Sequence, residues 1–127
     1  MNGIKHWPLH ASRQWIDPTT VVRLNTITKK TGAVLVITST WRRFWNVELI
    51  LKEAGVKAAV VGETPFLPSL PRGCEIIEWL SQHPDVKKYV ILDDDSDMGD
   101  VLGALVQTQW EEGLQDKHVI EAIVKLS

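Results

Sequence analysis

The chain is poor in cysteine, in net charge and in long apolar runs. Cys74 is its single cysteine, so no internal disulfide can form. That scarcity points to a reducing, cytoplasmic setting. Cys74 falls within a predicted helix, where a packed thiol explains it better than a nucleophile does. The formal net charge of −2 gives no general attraction to nucleic acid or to a membrane surface. No apolar run approaches a transmembrane span, and residues 1–9 lack the apolar core of a signal peptide. Internal repeats, low-complexity segments and long linkers are missing too. The 127 residues are therefore expected to fold as one domain, 1–127, with 1–15 as an irregular amino-terminal segment. Acidic residues are absent before Asp17.

Elsewhere acids are concentrated. Tyr89-Val90-Ile91-Leu92 reads as a short buried strand, and it runs straight into Asp93-Asp94-Asp95-Ser96-Asp97. Carboxylates this close repel one another and raise each other's pKa unless a cation, a basic group or solvent offsets them. The carboxyl end of a parallel strand is also where open α/β sheets place their chemistry. Two readings stand side by side. One is a hard-cation site for Mg²⁺ or a similar ion. The other is a solvated acidic turn, because Asp and Ser are ordinary turn residues.

A second strand end carries the opposite chemistry. Ala33-Val34-Leu35-Val36-Ile37 is another buried run, and it leads into Thr38-Ser39-Thr40-Trp41-Arg42-Arg43. Hydroxyls and guanidinium forks suit an oxyanion such as phosphate. The plainer explanation is a capped helix with solvated arginines. Acids on one strand end and hydroxyls with arginine on another together make what a metal-assisted phosphoryl site needs.

The pattern along the chain alternates. Asp17-Pro18 starts a helix that Gly32 ends. A strand follows at 33–37, then a helix capped by Asn46 and closed by Gly55. A strand is expected at 56–61 and a loop at 62–71, where Pro65, Pro68 and Pro71 fall. A helix spans 72–82, the acidic-ended strand 89–92, a loop 97–103, a short strand 104–108 and an amphipathic helix 115–126. This alternation predicts a parallel sheet with helices on both faces. His6 and His10 are four apart, but Pro8 between them argues against a shared helix face for a metal. Six tryptophans are many for this length. Core packing is their ordinary use, and near the amino terminus Trp7 and Trp15 could pin the segment or face a partner.

Taken in order, Val36-Ile37-Thr38-Ser39-Thr40-Trp41-Arg42, Thr64-Pro65 with Pro71-Arg72-Gly73, Val90 to Asp97 and Leu105-Val106-Gln107-Thr108 resemble the haloacid dehalogenase (HAD) superfamily. More narrowly, they are similar to the small HAD domains of RNA-repair proteins. The resemblance runs from about Ile16 to about Leu126. It implies a HAD-like Rossmannoid α/β fold, a three-layer sandwich around a parallel sheet. It also implies roles. Thr38 or Ser39, with Ser39 preferred, would bind the phosphoryl group. Arg72 would steady the same phosphate, and Arg42 would belong to the small family's own pattern. Asp93 and Asp94 would hold Mg²⁺, or Mn²⁺ or Zn²⁺ in its place, with Asp97 as a further ligand.

One departure is large. The superfamily opens on a strand ending in Asp-x-Asp, which supplies the nucleophile and the general acid/base. This chain has no such strand, and Asp17 is explained as a helix cap. The covalent aspartyl-phosphate route therefore does not carry over. The missing strand is the sheet's usual first and central one, between the strands ending at Ile37 and Leu92. Its loss would leave two strand edges to be covered, by direct pairing or by a second copy; a homodimer or higher oligomer is the expectation. The expected activity is metal-dependent, promiscuous phosphoester hydrolysis, with Asp94 and Asp95 as catalytic residues and Asp95 as the base. The substrate would be a phosphorylated small molecule or a nucleic-acid end. The alternative is a non-catalytic remnant that binds a phosphorylated ligand or a protein partner.

Overall fold

The computed structural model describes residues 17–38, 46–109 and 112–127. The segment 1–15, with His6, His10, Trp7 and Trp15, lies outside the described residues, as do Ser39, Arg42 and Arg43.

Helix α1 is Pro18–Thr31. Asp17 caps it by accepting from the Thr19 N–H at 2.9 Å, and Gly32 ends it at φ 73°, where only glycine is unstrained. Strand β1 (Leu35–Ile37) leads to α2 (Val47–Glu53), β2 (Val60–Glu63) and α3 (Arg72–Ser81). Strand β3 (Ile91–Asp93), a 3-10 turn (Gly99–Ala104), β4 (Leu105–Gln107) and α4 (Asp116–Leu126) follow. Strand β2 begins later than its apolar residues predict, because Gly62 and Glu63 pair with β1 although their side chains carry no strand signal. The region expected as loop at 97–103 winds largely into the 3-10 turn, whose Val101 buries. Among the described residues no helix is long and apolar enough to cross a membrane.

The elements stack in three layers. α1, α2 and α4 share one apolar cluster with Leu35 and Ile37 of β1 and Val106 of β4. α3 and the 3-10 turn form a second cluster with Ile91 of β3 and Leu105 of β4. The period of two decides this sharing: Ile91 and Leu105 are register partners facing one layer, and Leu92 and Val106 face the other.

The strands point the same way. Arg23 of α1 bonds Asp116 at 2.9 Å and the Leu114 carbonyl at 3.1 Å, which sets the start of α1 beyond the carboxyl end of β4. Arg72, opening α3 after β2, bonds Asp93 at the carboxyl end of β3.

The sheet, however, is in two halves. β1 pairs with β2 and β3 with β4, both parallel, and among the described residues the halves are not joined. Direct pairing of β1 with β3 is thus not realised. Between them lies a cavity of about 400 Å³, walled by β1 and β3, by Leu24 and Ile27 of α1 and by Ile76 and Trp79 of α3. Among the described residues no strand stands in this slot between β1 and β3.

Candidate functional site at the carboxyl end of β3

Asp93 is the last residue of β3 and is almost fully buried, at 4 % exposure. Both of its oxygens are engaged. Oδ2 accepts from Arg72 Nη1 at 2.5 Å, and Oδ1 accepts from the Asp95 N–H at 3.0 Å. Asp95 repeats the device: its Oδ1 accepts from the Asp97 N–H at 2.9 Å. Two successive Asx-type turns therefore wind the acidic loop on its own backbone. Gln107 of β4 donates to the Asp94 carbonyl at 3.1 Å and ties the loop to the sheet.

The loop is also pressed onto α3. The Gly73 N–H donates to the Asp97 carbonyl at 3.1 Å. A Cβ on Gly73 would stand 2.0 Å from the Met98 carbonyl oxygen, so only glycine lets the two backbones approach. Met98 is fully buried beneath the loop.

Electrostatics divide the two neighbouring carboxylates. Burial pushes the Asp93 carboxyl up, the Arg72 guanidinium and the Asp95 N–H pull it down, and the group lies below its ordinary 3.8. Asp94 goes the other way. Partial burial and the neighbouring Asp93 carboxylate raise it above 3.8.

Of the residues singled out in the sequence, Arg72 and Asp93 are in direct contact, and Asp94 adjoins them. Asp95 and Asp97 are exposed on the loop. Thr38 ends β1 and lines the slot together with Thr64, the residue after β2 whose N–H donates to the Ile37 carbonyl at 2.9 Å. Ser39 and Arg42 fall outside the described residues. Cys74 is half-buried in α3, in keeping with a packed thiol. Among the described residues no three His, Cys, Asp or Glu side chains converge as a metal-binding group. Mg²⁺ does not require three, since it is commonly held by one or two carboxylates with water and phosphate completing its shell. Asp93 and Asp94 offer oxygen donors of the kind such an ion takes.

Two features escaped the sequence reading. Gly73 carries the close approach of loop and helix, and its only signal is a glycine inside a helical pattern. His118 of α4 is buried at 4 % exposure and accepts from the Gln115 N–H at Nδ1, 2.8 Å away, in a capping box. Burial and the charge of Lys117 lower its pKa below the ordinary 6.5.

No curated protein and no solved structure matches the chain. One family does, the HAD domain in Swiss Army Knife RNA repair proteins, over residues 3–119. The match reaches ahead of Asp17 into residues that hold no Asp-x-Asp. With that span, with helices layered on parallel strands, and with an arginine–aspartate pair at a strand's carboxyl end, the chain belongs to the HAD domain family of Swiss Army Knife RNA repair proteins.

Proposed function

We propose that this chain is a metal-dependent phosphoester hydrolase of HAD type that works without the superfamily's aspartate nucleophile. Its substrate class is a phosphorylated small molecule or a nucleic-acid end. The observation that carries the reading is the buried Arg72–Asp93 pair beside Asp94, whose carboxyl is raised by its neighbour. The family's tie to RNA repair agrees with a phosphoryl substrate.

Each residue then has a task. Arg72 spends one N–H on Asp93 and keeps others of its fork for phosphoryl oxygens. Thr38 adds a hydroxyl from the end of β1, and Ser39 and Arg42, outside the described residues, are proposed as further phosphate donors. Asp93 and Asp94 would hold Mg²⁺, with Asp97 as a further ligand; bound there, the ion supplies positive charge to the phosphoryl group and acidity to a coordinated water. Asp95 stands on the loop to take the proton of the attacking water.

A second reading rests on a specific observation. Asp93 and Asp95 already accept from the loop's own N–H groups, and the sequence has no Asp-x-Asp ahead of Asp17. A remnant that binds a phosphorylated ligand without turnover would have these features too.

Turnover of a chromogenic phosphomonoester by phosphatase-free protein separates the two. Hydrolysis that needs Mg²⁺, Mn²⁺ or Zn²⁺ and stops with chelator is expected. No hydrolysis with any metal, together with thermal stabilisation by inorganic phosphate, would leave the binding remnant.

A further inference from the structure

The edge opposite the phosphoester site is basic. The parallel strands all begin there, and the helices between them run back to it. Topology therefore gathers lysines that are far apart in sequence. Lys29 and Lys30 stand in the last turn of α1, and Lys52 in the last turn of α2. Lys57 leads into β2, and Lys87 and Lys88 lead into β3. Lys125 is in the last turn of α4. Six of these seven side chains are exposed, and Lys125 is half-buried. Among the described residues, Glu53, Glu78 and Asp85 are the acids near this edge. The net charge of −2 hides the row, because other acids collect around the carboxyl ends of the strands.

Contacts show that the lysines form one row. The Lys57 N–H donates to Asn25 of α1 at 3.0 Å, which joins the entry of β2 to α1. Lys88 Nζ donates to the Ser127 carbonyl, and Lys125 Nζ to the Gly103 carbonyl at 2.9 Å. These bonds join the entries of β3 and β4 through the end of α4. Lys87 Nζ donates to the Pro84 carbonyl at 3.3 Å. A carbonyl takes one of an ammonium's three N–H groups and leaves its charge in place. Gly32, which ends α1, lines the same cavity as Lys87 and Lys88, so the row continues across the gap between the half-sheets.

Helix dipoles explain part of this row. A lysine in a last turn offsets the macrodipole, which accounts for Lys29, Lys30, Lys52 and Lys125. Lys57, Lys87 and Lys88 precede strands, where no macrodipole favours them. Like charges along one edge repel, and a bound polyanion offsets that repulsion. Four strand ends side by side span about 15 Å or more. A stacked nucleic-acid strand sets one phosphate about every 3.4 Å, so the edge faces about four of them.

We propose that this lysine row is a docking surface for the phosphodiester backbone of a single-stranded nucleic acid. Lysine meets phosphate as a point charge, and a row of such charges matches a line of phosphates without reading bases. The inference stands on charge placement. It concerns the edge opposite the phosphoester site and requires neither metal nor turnover.

The test is fluorescence anisotropy of a labelled oligodeoxythymidylate of about ten nucleotides, with hydroxyl ends, titrated with the full chain in chelator. The parent, Lys117→Gln and the triple variant Lys30→Gln/Lys57→Gln/Lys87→Gln are compared across salt concentrations. Lys117 is an exposed lysine in the first turn of α4, at the other edge. Parent binding is expected to weaken with salt, at a slope of about −0.7 per phosphate contacted. The triple variant is expected to bind about tenfold or more weakly with a shallower slope, and Lys117→Gln to follow the parent. Circular dichroism melts check folding; should the triple variant not fold, the single substitutions replace it, each expected to flatten the slope by about 0.7. No salt-dependent binding by the parent overturns the proposal. So does full binding by the lysine variants, or an equal loss in Lys117→Gln. Tighter lysine-dependent binding to phosphatidylserine vesicles or to polyglutamate, at equal charge, overturns the choice of nucleic acid. Chelator and hydroxyl ends keep the phosphoester site out of the measurement, so either reading can fail without the other.

Discussion

Asp93 holds the candidate site together, and removing either partner of its ion pair exposes the cost of a buried charge. The Asp93 and Arg72 side chains are 5 % and 19 % exposed. Asp93→Ala strands the guanidinium, and a loss of about 3 kcal/mol, read from the urea midpoint, is expected. The same contact sets an acid limb. The Asp93 pKa lies below 3.8 in the folded state, so its contribution is present above pH 3.8 and is lost as pH falls through the lower folded value. His118 sets a different limb. Protonating Nδ1 would cost the bond from the Gln115 N–H, and its folded pKa lies below 6.5. Its stabilising share is present above pH 6.5 and fades as pH drops below that value. His118→Asn should flatten the stability profile just below pH 6.5 and leave the strongly acid limb in place; an unchanged profile would remove His118 from the account. Gly73 is the third such residue. Gly73→Ala must push the Met98 backbone away and should cost about 2 kcal/mol or more. Circular dichroism melts would read that loss, and a neutral result would mean the loop lifts freely.

At the scale of elements, what was legible followed the strength of local chemistry. Asp17-Pro18 and Gly32 fixed both ends of α1 because a cap, a proline and a left-handed glycine act within a single turn. Asn46 capped α2 as expected, accepting from the Leu49 N–H at 3.0 Å. Strand β2 was placed too early, since Val60-Val61 carries the apolar signal while pairing extends through Gly62 and Glu63. The 3-10 turn was read as loop, because Gly99 and Gly103 mask a helical signal that only the burial of Val101 sustains. The expected loss of the central strand falls on residues outside the described part. The split into half-sheets and the slot's apolar lining are long-range consequences that no local pattern encodes. Of the candidate site, Arg72 with Asp93 was legible as chemistry, whereas the loop's self-capping by Asp93 and Asp95 required coordinates.

At the largest scale the described residues form two parallel half-sheets bound by three helices on one face and α3 with a 3-10 turn on the other. One edge of this body collects the strands' carboxyl ends and carries the acids, Arg72 and Thr38. The central claim is that Asp93 and Asp94 there form a cation site serving phosphoester chemistry. Calorimetric titration of Mg²⁺ into the full chain, into Asp94→Asn and into Asp100→Asn tests it most directly. Asp94→Asn keeps the shape of the side chain and the loop's backbone bonds, and Asp100 lies in the 3-10 turn as an exposed acid. The account predicts Mg²⁺ binding by the parent chain and by Asp100→Asn, weakened by about tenfold or more in Asp94→Asn. Equal binding by all three proteins would contradict it.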